Sequence, residues 1–257
     1  GSPEQKQRYL PRMASGEWLG SFALTEPGAG SDAGGLETRA VRSGDGYVLN
    51  GRKMFITNAP AAHQYFLFAR TDAGISAFIV ERESPGLAIG QVYDTTGHRG
   101  SQISEIVLED CRIPASALVG EEGRGLDYAK RTLAEGRTTL AARCVGAAQK
   151  ALELALAYAG ERRTFGKPLA DHQTIAFRLA QMSAKVEAAR LLVYRSAWML
   201  DQGMAAIRES STAKLVAAEN AWAVADEAMQ IFGGNSYIRN EYMVDRIWRD
   251  VRVARIY

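Results

Sequence analysis

What most constrains this chain is a change of texture near residue 120. Before it, short runs rich in aromatic and β-branched residues are separated by turn signals at Asp45-Gly46, Asn50-Gly51 and Ser84-Pro85-Gly86. They predict strands near Trp18 to Thr25, Gly46 to Leu49, Met54 to Thr57, Tyr65 to Ala69, Ile75 to Val80, Leu87 to Val92 and Ser104 to Leu108. No helical pattern lies between them, so the expected fold of this half is an antiparallel β barrel or sandwich rather than a doubly wound sheet.

Beyond Gly120 the chain turns to long stretches of Ala, Leu, Glu and Arg, which favour helices. Helices are expected from about Leu126 to Glu161, from Gln173 to about Gly203, from Ile207 to Phe232, and after Glu241, with Gly233-Gly234-Asn235 as a stop signal. In the second of these, Ile175, Leu179, Met182, Val186, Ala189 and Val193 recur at spacings of four and three, the seam of an up-down bundle. The whole is an α+β chain whose halves meet between Cys111 and Gly125, where Pro114 and three glycines break both patterns.

Charge and cysteine use narrow the function. Lys and Arg number 31 against 29 Asp and Glu, with no basic tail, so neither nucleic acid nor an anionic membrane is expected as a partner. No run reaches the roughly 18 to 20 apolar residues that span a bilayer. Cys111 and Cys144 stand far apart without CxxC spacing, so no metal site or disulfide is expected, and both read as reduced packing residues in a cytoplasm-like compartment.

Individual motifs leave more than one reading open. Thr25 to Asp32 (TEPGAGSD) joins a strand to polar sequence and is either a surface turn or a ligand loop; it lacks the third glycine of a dinucleotide fingerprint. Gly160 to Lys167 has the wrong spacing for a phosphate loop, and Glu161 to Lys167 also reads as a cation-bearing helix end. His63, His98 and His172 are scattered, with no nucleophile elbow or HExxH pair, which removes hydrolytic triads and zincin chemistry. Glu135 and Glu153 sit on helical faces where glutamates are ordinary.

Taken in order, these segments resemble the acyl-CoA dehydrogenase family over essentially the whole chain. The matching strings are Leu24 to Asp32 (LTEPGAGSD), Lys53 to Asn58 (KMFITN), Ser104 to Pro114 (SEIVLEDCRIP), Glu161 to Lys167 (ERRTFGK), His172-Gln173, Gln230 to Asn235 (QIFGGN) and Arg249 to Tyr257 (RDVRVARIY). The resemblance implies three regions: the end of an N-terminal helical domain in residues 1–16, a middle β domain in 17–115, and a C-terminal helical bundle in 120–257 whose last helix lies outside the chain.

It also implies FAD. Phe22, Leu24, Thr25, Gly30 and Ser31, with Phe55, Ile56 and Thr57, would line the isoalloxazine ring and pyrophosphate; Phe55 stands where Trp is common in the family. Arg162, Thr164, Phe165 and Gln173, with Gln230, Ile231, Gly233 and Gly234, would hold the adenylate half and pyrophosphate, in this family of a neighbouring subunit's flavin. The substrate would be an acyl-CoA, contacted by Ser31, Arg137 and Tyr257, desaturated between its α and β carbons with electrons passed to an electron-transfer flavoprotein. The general base is expected as a Glu directly after Tyr257. The family's second position for it holds Gly136 here, with Glu135 a weak fallback about 100° around the helix, and Ala134 stands in for an acidic CoA contact of some members. A homotetramer, a dimer of dimers, is expected from the Ile175 to Val193 seam and the cross-subunit flavin contacts, in the cytoplasm or in a mitochondrial matrix. Alternatives of the same fold are a flavin oxidase and a catalytically silent FAD-binding partner subunit.

Overall fold

The computed structural model describes all 257 residues and divides into two compact units. The first comprises residues 1–95 and 99–131, the second 96–98 and 132–257.

In the first unit a helix, α1 (Pro3–Ala14), begins at a Ser2–Gln5 capping box. Seven strands follow: β1 (Gly20–Ala23), β2 (Arg39–Ser43), β3 (Gly46–Thr57), β4 (Gln64–Thr71), β5 (Gly74–Glu81), β6 (Leu87–Tyr93) and β7 (Ile103–Pro114). They form one sheet in the order β1-β4-β2-β3-β7-β6, with β5 also paired to β4. The sheet is mixed rather than purely antiparallel. β1 and β2 run parallel to β4, whereas β2–β3, β3–β7, β4–β5 and β6–β7 are antiparallel. No hairpin joins β1 to β4; a long loop and the β2–β3 hairpin intervene, so local turn chemistry does not set their relative direction. Tyr47, Leu49, Tyr65, Leu67, Phe78, Ile106 and Leu108 fill the core.

Two local expectations change. Asn50-Gly51 is not a turn: the two short strands expected on either side are one, β3, and its register against β7 shifts between Leu49 and Gly51. Gly51 has φ 151°, and a Cβ there would lie 2.5 Å from Thr38 Oγ1 and 2.7 Å from Thr38 Cα, so the glycine permits a close approach; the extra residue of the register shift lies opposite, in β7, where Asp110 has φ 48°. Strand β2 was not expected, because four of its five residues are exposed and its sequence has no apolar alternation.

The second unit is built on α2 (Gly125–Glu161, from residue 132 onward), α3 (Gln173–Asp201), α4 (Ile207–Phe232) and α5 (Met243–Val251). Between α2 and α3 lies a small hairpin of β8 (Arg163–Thr164) and β9 (Lys167–Pro168). The α3 seam is buried at Leu179, Met182, Val186, Ala189 and Val193, with Ile175 packed on the same core as Ala217, Ala221, Val224 and Ala228 of α4. Each large member contributes roughly 1.5–3 kcal/mol by leaving water. The seam is therefore spent inside the unit and cannot drive assembly between chains. The large exposed apolar residues of α3 are Phe177, Leu191, Tyr194 and Trp198. No helix is long and apolar enough to cross a membrane.

Candidate functional site

In the first unit, the flavin-like segments are the β1–β2 loop and the end of β3. After β1 the chain makes a tight turn in which Glu26 and Ala29 exchange two backbone hydrogen bonds of 3.1 Å. Beyond it Gly30 and Ser31 are exposed, and nothing lies within 4 Å of where a Cβ on Gly28 or Gly30 would stand. The loop offers bare backbone. Met54 N donates to Thr25 O at 2.8 Å, and Ser21 Oγ donates to Thr57 O at 2.8 Å, stitching the two segments together. Leu24 and Ile56 are buried, which leaves main-chain groups as what they can offer a ligand, and Phe22 packs on Phe66 and Phe68.

Phe55 is the unusual member. A second register shift, between Lys53 and Ile56, accompanies a φ of 59° at Phe55, a left-handed conformation that costs a bulky residue about 1–3 kcal/mol. The ring is 57% exposed, its centroid 5.3 Å from that of Tyr93. Strain spent on presenting an aromatic face outward fits a planar ligand such as an isoalloxazine ring.

Beneath these segments lies a pair that sequence reasoning did not single out. Lys53 Nζ is 2.6 Å from Glu26 Oε1, and Lys53 is wholly buried. Burial pushes the Lys53 amine down to about 8, with the Glu26 charge acting against that fall. On Glu26 burial works upward, but the Lys53 charge and hydrogen bonds from Thr38 and Glu37 prevail and hold the carboxyl below its usual range. The signal was present: alternation from Tyr47 and Leu49 puts position 53 on the inward face of β3, where a lysine demands a partner.

In the second unit, the β8–β9 hairpin turns at Phe165 (φ 49°) and Gly166 (φ 82°), the backbone of a turn that ordinarily carries Asn-Gly. Phe165 is 97% exposed. Thr164 Oγ1 is 3.1 Å from His172 Nε2, which fixes the hairpin to the start of α3. That helix begins at Gln173 without a side-chain cap; Ile175 N and Ala176 N donate to His172 O, which leaves the Gln173 and Thr174 N–H groups to meet an anionic ligand. Arg162 and Gln173 are exposed. At the end of α4, Gln230, Gly233 and Gly234 are exposed, Ile231 is buried, and Asn235 Nδ2 donates to Tyr158 OH at 2.8 Å. An exposed aromatic, free helix amides and an arginine fit a nucleotide's base and phosphates.

The residues of this unit expected to meet substrate lie on or against α2. Arg137 reaches Ser211 Oγ at 3.4 Å, and Arg143 donates to the Tyr257 hydroxyl at 2.6 Å. Gly136 and Arg143 are seven residues apart, so they share a face of α2 within about 20°. Of the three histidines, His98 is held through its backbone, whose N–H donates to Asp250 Oδ1 at 2.6 Å. His63 Nδ1 accepts from Leu19 N at 3.2 Å. Cys111 and Cys144 are buried free thiols.

Known proteins similar to this chain bear on these arrangements. Residues 21–111 match the family description "Acyl-CoA dehydrogenase, middle domain" and residues 123–257 match "Acyl-CoA dehydrogenase, C-terminal domain". The 3-(aryl)acrylate reductase of Clostridium sporogenes is 45% identical over the whole chain, which spans 69% of that protein. The caffeyl-CoA reductase-Etf complex subunit CarC of Acetobacterium woodii is 46% identical, again over the whole chain and 69% of the relative. Among solved structures, butyryl-CoA dehydrogenase from Megasphaera elsdenii superposes with a TM-score of 0.97 at 44% identity, covering all of this chain and 68% of the other. With both domain descriptions matched in chain order and likeness this strong along its whole length, the chain belongs to the acyl-CoA dehydrogenase family of flavoprotein oxidoreductases.

Proposed function

We propose that this chain is the FAD-binding and thioester-binding part of an enzyme that desaturates an acyl-CoA to the trans-2-enoyl-CoA. The observation that carries the reading is Phe55, held in a costly left-handed conformation with its side chain exposed, one residue after Met54, whose N–H ties β3 to the Thr25 to Ser31 loop. Bound FAD supplies the acceptor for the hydride that leaves the β carbon.

The rest of the work belongs to the protein. Main-chain groups of Leu24, Thr25, Gly30, Ile56 and Thr57 and the side chains of Phe22, Ser31 and Phe55 hold the ring, while Ser31 also meets the substrate. Arg162, Thr164, Phe165 and Gln173, with Gln230, Ile231, Gly233 and Gly234, take the adenylate side. Arg137 and Tyr257 flank the thioester, and the Arg143–Tyr257 hydrogen bond ties the Tyr257 segment to α2. The shared face of Gly136 and Arg143 gives the family's two base positions a common side of the helix. Two of the relatives are named as reductases, which is the same transfer run backwards, and one belongs to a complex with Etf. That relative supports an electron-transfer flavoprotein as partner. The exposed Phe177, Leu191, Tyr194 and Trp198 of α3 form the surface proposed for assembly into a dimer of dimers.

Anaerobic titration of the intact protein with acyl-CoA thioesters of graded length, following loss of the long-wavelength flavin band, tests the reading. Bleaching by at least one thioester is expected. Turnover that consumes oxygen directly would instead identify an oxidase, and a flavin indifferent to every thioester would identify a silent subunit.

A further inference from the structure

The loop between β1 and β2 leaves the sheet after Ala23 and returns at Arg39, and one buried group contacts what holds both of its ends. Lys53 Nζ donates to Leu24 O at 3.3 Å on the outgoing side and to Glu26 Oε1 at 2.6 Å. Glu26 in turn accepts from the returning backbone, from Glu37 N at 2.5 Å and Thr38 N at 3.1 Å. Two positions before Lys53, the bare Cα of Gly51 lets β3 press against Thr38; two positions after it stands the strained Phe55. No step of the desaturation uses Lys53, and a lysine is a costly choice for a fully buried site that an apolar side chain could fill.

We propose that Lys53 is a positioning residue for the flavin: by joining Leu24 to Glu26 it fixes the exit and return of the Thr25 to Ser31 loop relative to Phe55. The backbone of the loop and the Phe55 ring then present one continuous surface. This rests on reading those segments as flavin-binding, and it assigns a purpose to a cation that touches neither flavin nor substrate.

The test uses the intact protein stripped of FAD, as wild type, as Lys53→Met, and as the Lys53→Met/Glu26→Gln double variant that leaves no lone charge behind. Three quantities are read: the FAD dissociation constant from flavin fluorescence, the visible circular dichroism of bound FAD, and thermal unfolding of the FAD-free protein. The double variant is expected to unfold near the wild-type temperature, yet to bind FAD about tenfold more weakly, the alignment equivalent of one hydrogen bond. Its bound flavin is expected to give an altered visible dichroism, which a purely structural role would leave unchanged. A folded double variant with wild-type affinity and dichroism overturns the role of Lys53. Failure of the wild type to bind FAD overturns the flavin reading instead, so the two failures are separable.

Discussion

Lys53 Nζ lies 2.6 Å from Glu26 Oε1, and the pair links strand β3 to the loop that follows β1 with no access to solvent at the lysine. Removing one partner of such a pair leaves a buried charge uncompensated, which typically costs about 3–5 kcal/mol. Lys53→Met is therefore expected to lower the urea midpoint of the first unit sharply, and a second change, Glu26→Gln, to restore most of the loss. Equal stability of the single and double variants would show that the Glu26 charge finds another partner.

Gly97 is pressed against the backbone of Arg249. A Cβ at position 97 would stand 2.5 Å from Arg249 O and 2.9 Å from Asp250 Cα, and the same tripeptide is held by Arg249 to Thr96 O at 3.2 Å. Gly97→Ala is expected to destabilise the second unit by about 1–3 kcal/mol through overpacking. Gly100→Ala, where nothing lies within 4 Å of the added carbon, serves as the neutral control in the same thermal melts.

Phe165 pays for its exposure in backbone strain. Asn tolerates a left-handed φ far better than Phe, and a side chain 97% exposed gives up almost no packing. Phe165→Asn should therefore stabilise the FAD-free protein by up to ~1 kcal/mol while lowering FAD retention on gel filtration. A loss of stability with unchanged retention would place the value of Phe165 in packing rather than in the ligand.

Burial pushes the Cys111 thiol up to about 11, and Cys144 shifts in the same direction for the same reason. Because the folded pKa of Cys111 lies above its unfolded value, its contribution to stability is full below about pH 9 and is lost as pH rises through about 11. A disulfide reagent at pH 8 should label neither thiol in the native protein and both after unfolding. Rapid native labelling would require a local opening around β7 or α2.

The two halves were legible because their local signals agreed with their packing. The bounds of α4 coincide with the Ala-rich run and its Gly233-Gly234 stop, and the α3 seam is the buried face of that helix. The parallel pairing of β1 with β4 was not legible, since it depends on what the intervening chain does rather than on either strand. Asn50-Gly51 carries a strong turn signal, yet the strand runs through it, with Gly51 close against Thr38 and the extra residue of the register shift opposite, in β7. At the site, the motifs were visible as strings, yet the left-handed φ of Phe55 and Phe165 was not, because neither residue type favours it. Lys53 and Glu26 sat inside quoted motifs, and only the β3 alternation pointed to their burial.

The central claim is that this chain carries FAD where an acyl-CoA thioester can reduce it. The most direct measurement is acid release and chromatography of the flavin from the intact protein, followed by anaerobic addition of acyl-CoA to the same preparation. Recovery of FAD and bleaching of its long-wavelength band by at least one thioester is the predicted result. Recovery of FMN alone, or no flavin even after reconstitution, would contradict it.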